Sequence, residues 1–332
     1  MTTYKIGTTF GRNSQWHYDE VNLVNGVLNQ INKKFPEGNN LLINTTWFGP
    51  QFDNGEYNKL TKYTDIDRLF FLAGVDPVMI NREQLDTISL KLSVAETYYI
   101  GNFDTDQQFT FIATLLPKYF QNYDENDLLL RDPKWKYITY NRKPRSHRIE
   151  FVDKLISAGL DKSGIITLGN HYTLDEHIKD YAIGNWGMPD EYGIPHDIHS
   201  LGRLDIWQKH FLTIVGETEF NPWDNMFITE KTWKPILGLR PFLLNGQTKI
   251  YKYLRNQGFK TFNHYFSNIE LENLKEFEVH DSIIKAIQYL TTLDKTNLLS
   301  MYNDMLPDLR HNRDRFFEFS KEQKIKIDNI FI

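Results

Sequence analysis

Residues 227–246 read Phe227-Ile228-Thr229-Glu230-Lys231-Thr232-Trp233-Lys234-Pro235-Ile236-Leu237-Gly238-Leu239-Arg240-Pro241-Phe242-Leu243-Leu244-Asn245-Gly246. Thr229 is a residue type that caps helices, and Glu230 and Lys231 follow it as a first turn. Ile236 and Leu237 give that helix an apolar side, and Gly238 is placed to end it. Arg240-Pro241-Phe242-Leu243-Leu244 then reads as a short buried strand. Just upstream, His210-Phe211-Leu212-Thr213-Ile214-Val215 reads as another strand, running into Gly216-Glu217-Thr218. Strand, helix and strand in that order predict a parallel sheet with crossover helices. A helix start of this kind carries unsatisfied N–H groups and the positive end of the dipole, which together suit an anion. Lysine adds a mobile charge matched to phosphate, and glutamate can accept from sugar hydroxyls. An ordinary capped helix with a solvated Glu-Lys pair would give the same local pattern.

The alternation extends outward from this stretch. Trp135 to Tyr140 reads as a strand, Ser146 to Ala158 as a helix and Gly164 to Leu168 as a strand. Ser200 to Gln208 is expected to be helical, as is Thr248 to Gln257, with a short strand at Phe259 to Phe262. Ile283 to Leu290 and Asp294 to Phe319 read as closing helices. Towards the N-terminus, Tyr4 to Phe10, Leu41 to Phe48, Leu69 to Pro77 and Glu96 to Phe103 are candidate strands. Val21, Leu23, Val24, Val27, Leu28 and Ile31 recur at helical spacing between the first two, and Phe109 to Phe120 reads as one helix. The composition turns polar and acidic around Tyr123 to Pro133, which sets the expected boundary: an N-terminal α/β domain at 1–130 and a C-terminal one at 131–332. Two Rossmann-like α/β domains of this size are expected to face each other across a crevice. Ligands of such sheets gather at the C-terminal strand ends.

Bulk properties fit that picture. The chain has 332 residues, too long for one typical small core and suggesting two domains, and its 40% hydrophobic and 24% charged residues are close to the globular average. The formal net charge of -5 removes any global basic field for nucleic acid or anionic membranes. Cysteine is absent, which excludes disulfides, thiol nucleophiles and cysteine metal sites. No apolar run reaches membrane length, and the start of the chain lacks a signal-peptide pattern, so the expected location is cytoplasmic, without membrane insertion.

A second chemical cluster is Tyr140-Asn141-Arg142-Lys143-Pro144-Arg145-Ser146-His147-Arg148, at a strand end that opens a helix. Its basic side chains can converge on one anion, and their placement at a helix start opposes the dipole unless something negative answers them. Glu217, at the end of the His210 strand, is an acid where a crevice ligand is expected. Taken in order, the Asn-Arg loop, the Phe-Leu-Thr-Ile-Val-Gly-Glu-Thr strand end and the Phe-Ile-Thr-Glu-Lys-Thr-Trp-Lys-Pro-Ile…Arg-Pro-Phe stretch resemble the donor half of GT-B glycosyltransferases. They are most similar to the alpha-1,3-fucosyltransferase-like group and to bacteriophage-encoded enzymes. The resemblance covers about Lys136 to Phe262. It implies that Glu230 holds the ribose, Lys231 and Arg142 the diphosphate, and Glu217 the donor sugar, with Asn141, Arg148 and Thr229 completing the donor site. Where that group carries Phe-Glu-Asn-Ser, this chain has Val-Gly-Glu-Thr, so fucose itself is not implied.

Sugar transfer from a nucleotide sugar builds negative charge on the leaving diphosphate, and preorganised positive charge there is the protein's main lever. The expected co-substrate is therefore a nucleotide sugar, with no metal and no other cofactor required if Lys231, Arg142 and helix N–H groups serve. An inverting reaction needs a base for the acceptor hydroxyl. Asp76, ending an apolar strand, is the first candidate, followed by Glu20 and Asp53. The resemblance to phage enzymes offers a hydroxymethylated pyrimidine in DNA as acceptor. A surface polysaccharide or lipopolysaccharide is the alternative, and a non-catalytic nucleotide- or glycan-binding module is the reading from another class. Asp104-Thr105-Asp106 matches a metal-binding Asp-x-Asp, but Asp106 also sits where the Phe109 helix needs its cap. His196-Asp197-Ile198-His199 lacks a third ligand, and His171 and His177 read as surface or packing residues.

Overall fold

The computed structural model describes residues 2–6, 15–44, 63, 65–73, 82–101, 110–141, 144–168, 172–173, 200–218, 220, 226, 228–266, 269, 271–272 and 274–329. The chain divides into two compact units. One comprises Met1–Leu115, Trp223–Met226 and Lys321–Ile332; the other comprises Leu116–Pro222 and Phe227–Ser320.

The first unit holds strands β1 (Thr2–Ile6), β2 (Asn39–Asn44), β3 (Arg68–Ala73) and β4 (Glu96–Gly101), all parallel and in the order β1-β2-β3-β4. Helices α1 (Gln15–Lys34) and α2 (Arg82–Lys91) lie between strands in sequence. Leu23, Val24, Val27 and Ile31 form the buried stripe of α1, at the spacing read from the sequence. β2 and β3 are buried on both faces. Leu41, Ile43, Leu69 and Phe71 pack with Leu85 and Ile88 of α2, while Phe70 of the opposite face stacks on Tyr98 at 4.8 Å. Two-sided burial is why these strands read as continuous apolar runs rather than alternating ones.

Helix α3 (Phe111–Leu115) ends the first segment of the first unit, and the second unit begins with the short helices α4 (Pro117–Phe120) and α5 (Glu125–Leu128). The single helix expected over Phe109 to Phe120 is broken before Pro117, which has no N–H to give. The sequence placed the domain boundary near 130, and the second compact unit starts at Leu116. Phe120, Tyr123 and Leu128 are buried in the second unit. The Leu201 N–H donates to the Tyr123 hydroxyl, the Gln208 amide to the Asp127 carbonyl, and the Arg131 N–H to the Gln208 carbonyl.

The sheet of this unit contains β5 (Trp135–Asn141), β6 (Gly164–Leu168), the two-residue β7 (Tyr172–Thr173), β8 (His210–Gly216) and β9 (Phe242–Asn245). Helices α6 (Ser146–Ser157), α7 (Leu204–Trp207), α8 (Glu230–Leu237) and α9 (Lys249–Asn256) connect and follow them. The long helices α10 (Glu276–Thr292) and α11 (Lys295–Asp328) close the chain. The order is β7-β6-β5-β8-β9, with β7 antiparallel and the rest parallel. The structure is therefore a mixed α/β protein with two parallel sheets and C-terminal helices. None of the described helices is long and apolar enough to cross a membrane.

The strand expected at Phe259 to Phe262 does not form. Buried Asn312 of α11 takes both hydrogen bonds of Lys260 that a neighbouring strand would make. Its Oδ1 accepts from the Lys260 N–H at 2.7 Å, and its Nδ2 donates to the Lys260 carbonyl at 2.9 Å. Phe259 instead turns inward onto Trp233, beside Phe316 and Phe319, with ring centroids of the three at 5.2–5.6 Å from the indole.

Candidate functional site

After β5 the chain passes to β6 on one side, and it later returns as β8 on the other, so β5 and β8 flank the point where the order reverses. Loops leaving two such strands part from each other and leave room at the carboxyl edge. Asn141 ends β5, Gly216 and Glu217 end β8, and Asn245, in register with Gly216, ends β9. Their neighbours are α6, which follows the Asn141 loop, and α8, which follows Glu217.

Glu217 is fully buried, and each of its carboxylate oxygens accepts two hydrogen bonds. Oε1 accepts from the Thr229 N–H at 3.1 Å and the Thr232 hydroxyl at 2.6 Å. Oε2 accepts from the Thr229 hydroxyl at 2.6 Å and the Thr218 N–H at 3.2 Å. Glu217 is the residue expected to contact a donor sugar, and in the structure all four of these hydrogen bonds come from the chain itself. Its carboxylate is spent on the start of α8, where it meets the positive end of the dipole. Thr229 does cap α8, as its hydroxyl accepts from the Lys231 N–H at 3.3 Å.

Arg148 is likewise turned inward. Its Nη2 donates to the carbonyls of Gly216 and Glu217 at 2.8 and 2.9 Å, and the side chain is buried. His147 lies beside it, with Nε2 3.1 Å from the Glu217 carbonyl. Burial pushes its imidazole down to about 4, helped by Arg148, Arg145 and His280 and opposed by the hydrogen bond to the Glu217 carbonyl. The ring is thus neutral at pH 7, with Nε2 as the donor. Asn141 is buried, its Nδ2 donating to Thr139 Oγ1 at 3.1 Å. Its Oδ1 lies over Gly216, where an added Cβ would sit 2.2 Å away, so β8 needs glycine at that position. Asn245 is buried too, and its amide has no hydrogen-bond partner among the described residues.

The exposed chemistry of the site lies on the first turn of α8. The Lys231 ammonium donates to Thr218 Oγ1 at 3.2 Å and to Thr229 Oγ1 at 3.1 Å, and pairs with Glu230 at 3.1 Å. Lys231 keeps 25% of its side-chain surface exposed and Glu230 keeps 13%. Burial alone would raise the Glu230 carboxyl, but Lys231 and Lys234 outweigh it and hold it below the usual carboxylate range. The pair offers one ammonium and one carboxylate side by side, a set that can meet an anion and hydroxyl groups together.

The three strand-end motifs read from the sequence therefore meet: Arg148 joins the first to the second, and Glu217 joins the second to the third. Thr232 and His147 complete the cluster and were not singled out in the sequence. Thr232 was visible as a second threonine one turn after Thr229, but nothing local showed that its hydroxyl faced Glu217. Arg142, Asp53 and Asp76 lie outside the described residues, as do Asp104 to Asp106 and His171, His177, His196 and His199; for Glu20 only the helical backbone is described. Comparison with protein-family profiles, with curated proteins and with solved structures finds no match to this chain.

Proposed function

We propose that the chain is a GT-B type glycosyltransferase that moves a sugar from a nucleotide-diphosphate sugar to a hydroxyl acceptor. The observation that carries this reading is the convergence of the Asn141, Glu217 and Thr229–Lys231 motifs on the switch point of a parallel sheet. Lys231 then serves as the cation for the diphosphate, with Arg142 as the second, and Glu230 accepts from the ribose hydroxyls. A ligand offering both groups replaces the Glu230–Lys231 pair partner for partner, so neither charged side chain is left unmatched when it binds. Positive charge at the leaving diphosphate lowers the barrier to breaking the glycosidic C–O bond. Glu217, Arg148 and His147 stand behind this pair as its frame.

Thermal stability measured against a panel of UDP- and GDP-sugars, together with nucleoside diphosphate release, tests the reading. A stabilising response and release with at least one donor are expected. No response to any nucleotide sugar would sink it. Binding without hydrolysis or transfer to any acceptor would favour a non-catalytic module instead. Lys231→Ala should weaken donor binding by at least about tenfold, the loss of one charge-assisted contact, while the fold survives.

A further inference from the structure

We propose that Glu217 is a positioning residue that works through the Thr229 hydroxyl to present the Lys231 ammonium to the anionic group of a ligand. The proposal rests on the donor-site reading above and adds how its cation is aimed.

A threonine hydroxyl has one proton and two lone pairs. The Thr229 proton is committed to Glu217 Oε2 at 2.6 Å. Its lone pairs are thereby turned toward Lys231, whose backbone N–H lies at 3.3 Å and whose ammonium lies at 3.1 Å. The Glu217 backbone is itself fixed, because its carbonyl receives Arg148 and its N–H donates to the Asn245 carbonyl of β9 at 3.1 Å. The buried acid is thus anchored to the sheet while its two oxygens set the direction of the hydroxyls on the helix start. Gly246 keeps this place open: a Cβ there would lie 2.9 Å from the Glu217 Cβ. The Thr218 hydroxyl completes the cradle from the next residue of the same strand end, 3.2 Å from the ammonium. Two hydroxyls therefore hold the lysine amine in place while its carboxylate partner, Glu230, can be exchanged for a phosphate oxygen.

Glutamine at position 217 cannot reproduce this. Its NH₂ group only donates. Placed toward Thr229 Oγ1, it turns that hydroxyl's proton away and toward the lysine. Placed the other way, it faces the Thr229 N–H, donor against donor. In the first orientation the cradle under Lys231 loses an acceptor; in the second the Thr229 N–H loses its acceptor, and the residue that carries the cradle is pushed away from position 217.

The test compares Glu217→Gln, Thr229→Val and Thr229→Ser with the wild-type protein. One measurement is the acetylation rate of Lys231 in the folded protein, read peptide by peptide against the other lysines. The other is the affinity for UDP and GDP as probes. Glu217→Gln and Thr229→Val should raise Lys231 acetylation about tenfold and weaken nucleotide binding by a similar factor, and Thr229→Ser should restore both toward wild type. Acetylation of Lys154 and Lys295 should stay at the wild-type rate. Unchanged Lys231 labelling in folded Glu217→Gln or Thr229→Val overturns the proposal, and so does an equal rise at every lysine, which would mark general loosening. Should Glu217→Gln fail to fold, the Val/Ser pair at Thr229 decides. Should the wild-type protein bind neither nucleotide, the donor-site reading fails, while the labelling still tests the role of Glu217.

Discussion

Lys231 and Arg240 stand at the two ends of α8, and the protein uses their positive charges in opposite ways. Arg240 is completely buried and has no carboxylate partner among the described residues. It donates to the carbonyls of His210, Leu128, Leu239 and Trp207 at 2.6–3.0 Å and to the Tyr302 hydroxyl at 3.2 Å. Burial pulls its guanidinium down to about 10, which leaves it a cation at neutral pH. Its donors tie together α5, α7, the start of β8 and α11, and the Trp207 and Tyr302 rings lie near its charge. Lys231 bonds Glu230 and Thr229 at the helix start and Thr218 at the end of β8, and remains partly exposed. A buried cation held by four carbonyls and a tyrosine hydroxyl is withheld from a ligand. A partly exposed ammonium held by hydroxyls and one exchangeable carboxylate does.

The sharpest way to break this contrast is Arg240→Ala, which strands several buried carbonyls and empties a large side-chain volume. A loss of about 4 kcal/mol or more in denaturant unfolding is expected, with no rescue by lysine, whose single ammonium cannot span the same acceptors. A stability change below about 1 kcal/mol would erase the distinction.

The helix-start side can be probed by acid. His147 is held neutral in the fold at about 4 but titrates near 6.5 when unfolded, so the unfolded chain binds the proton first. Its contribution is fully present above about pH 6.5 and is lost as the pH falls toward 4, up to about 3 kcal/mol. The wild-type protein should therefore lose more stability than His147→Gln between those pH values; parallel curves would refute the neutral-histidine frame.

Gly238→Ala comes next, at about 2 kcal/mol in the same unfolding assay. Gly238 ends α8 as the sequence suggested, but not because of its own backbone angle. The left-handed residue is Leu239, at φ 52°, and the Arg240 N–H closes the turn onto the Pro235 carbonyl. Glycine is needed because a Cβ would lie 2.3 Å from the Trp207 ring, whose Nε1 donates to the Gly238 carbonyl. Lys231→Ala should have the smallest effect on stability, within about 0.5 kcal/mol, since its ion pair is local and partly exposed. A larger loss would place Lys231 with Arg240 as a structural cation.

Much of this was legible in the chain. The apolar runs of β2, β3, β8 and β9 and the helical stripe of α1 follow from burial patterns that side-chain chemistry alone imposes. The Thr229 cap was readable because capping uses atoms two residues apart. The role of Glu217 was not, because its partners lie 12 and 15 residues further along the chain and only the sheet-to-helix packing brings them together. Arg240 read as the entry to a strand, and nothing near it in sequence announced carbonyls from as far away as Leu128.

The sequence by itself thus determined an alternating α/β chain, a capped helix between two buried strands, and three polar motifs at strand ends. Those features depend on periodicity and on neighbours within a turn, where a few residues fix the local geometry. Only the tertiary structure decided which charges are spent. Glu217 and Arg148, read from the sequence as ligand-facing groups, bond to each other's neighbourhood inside the unit. The reason is that a buried charged group must find its partners in the fold, while a cation left partly exposed can wait for them in a ligand.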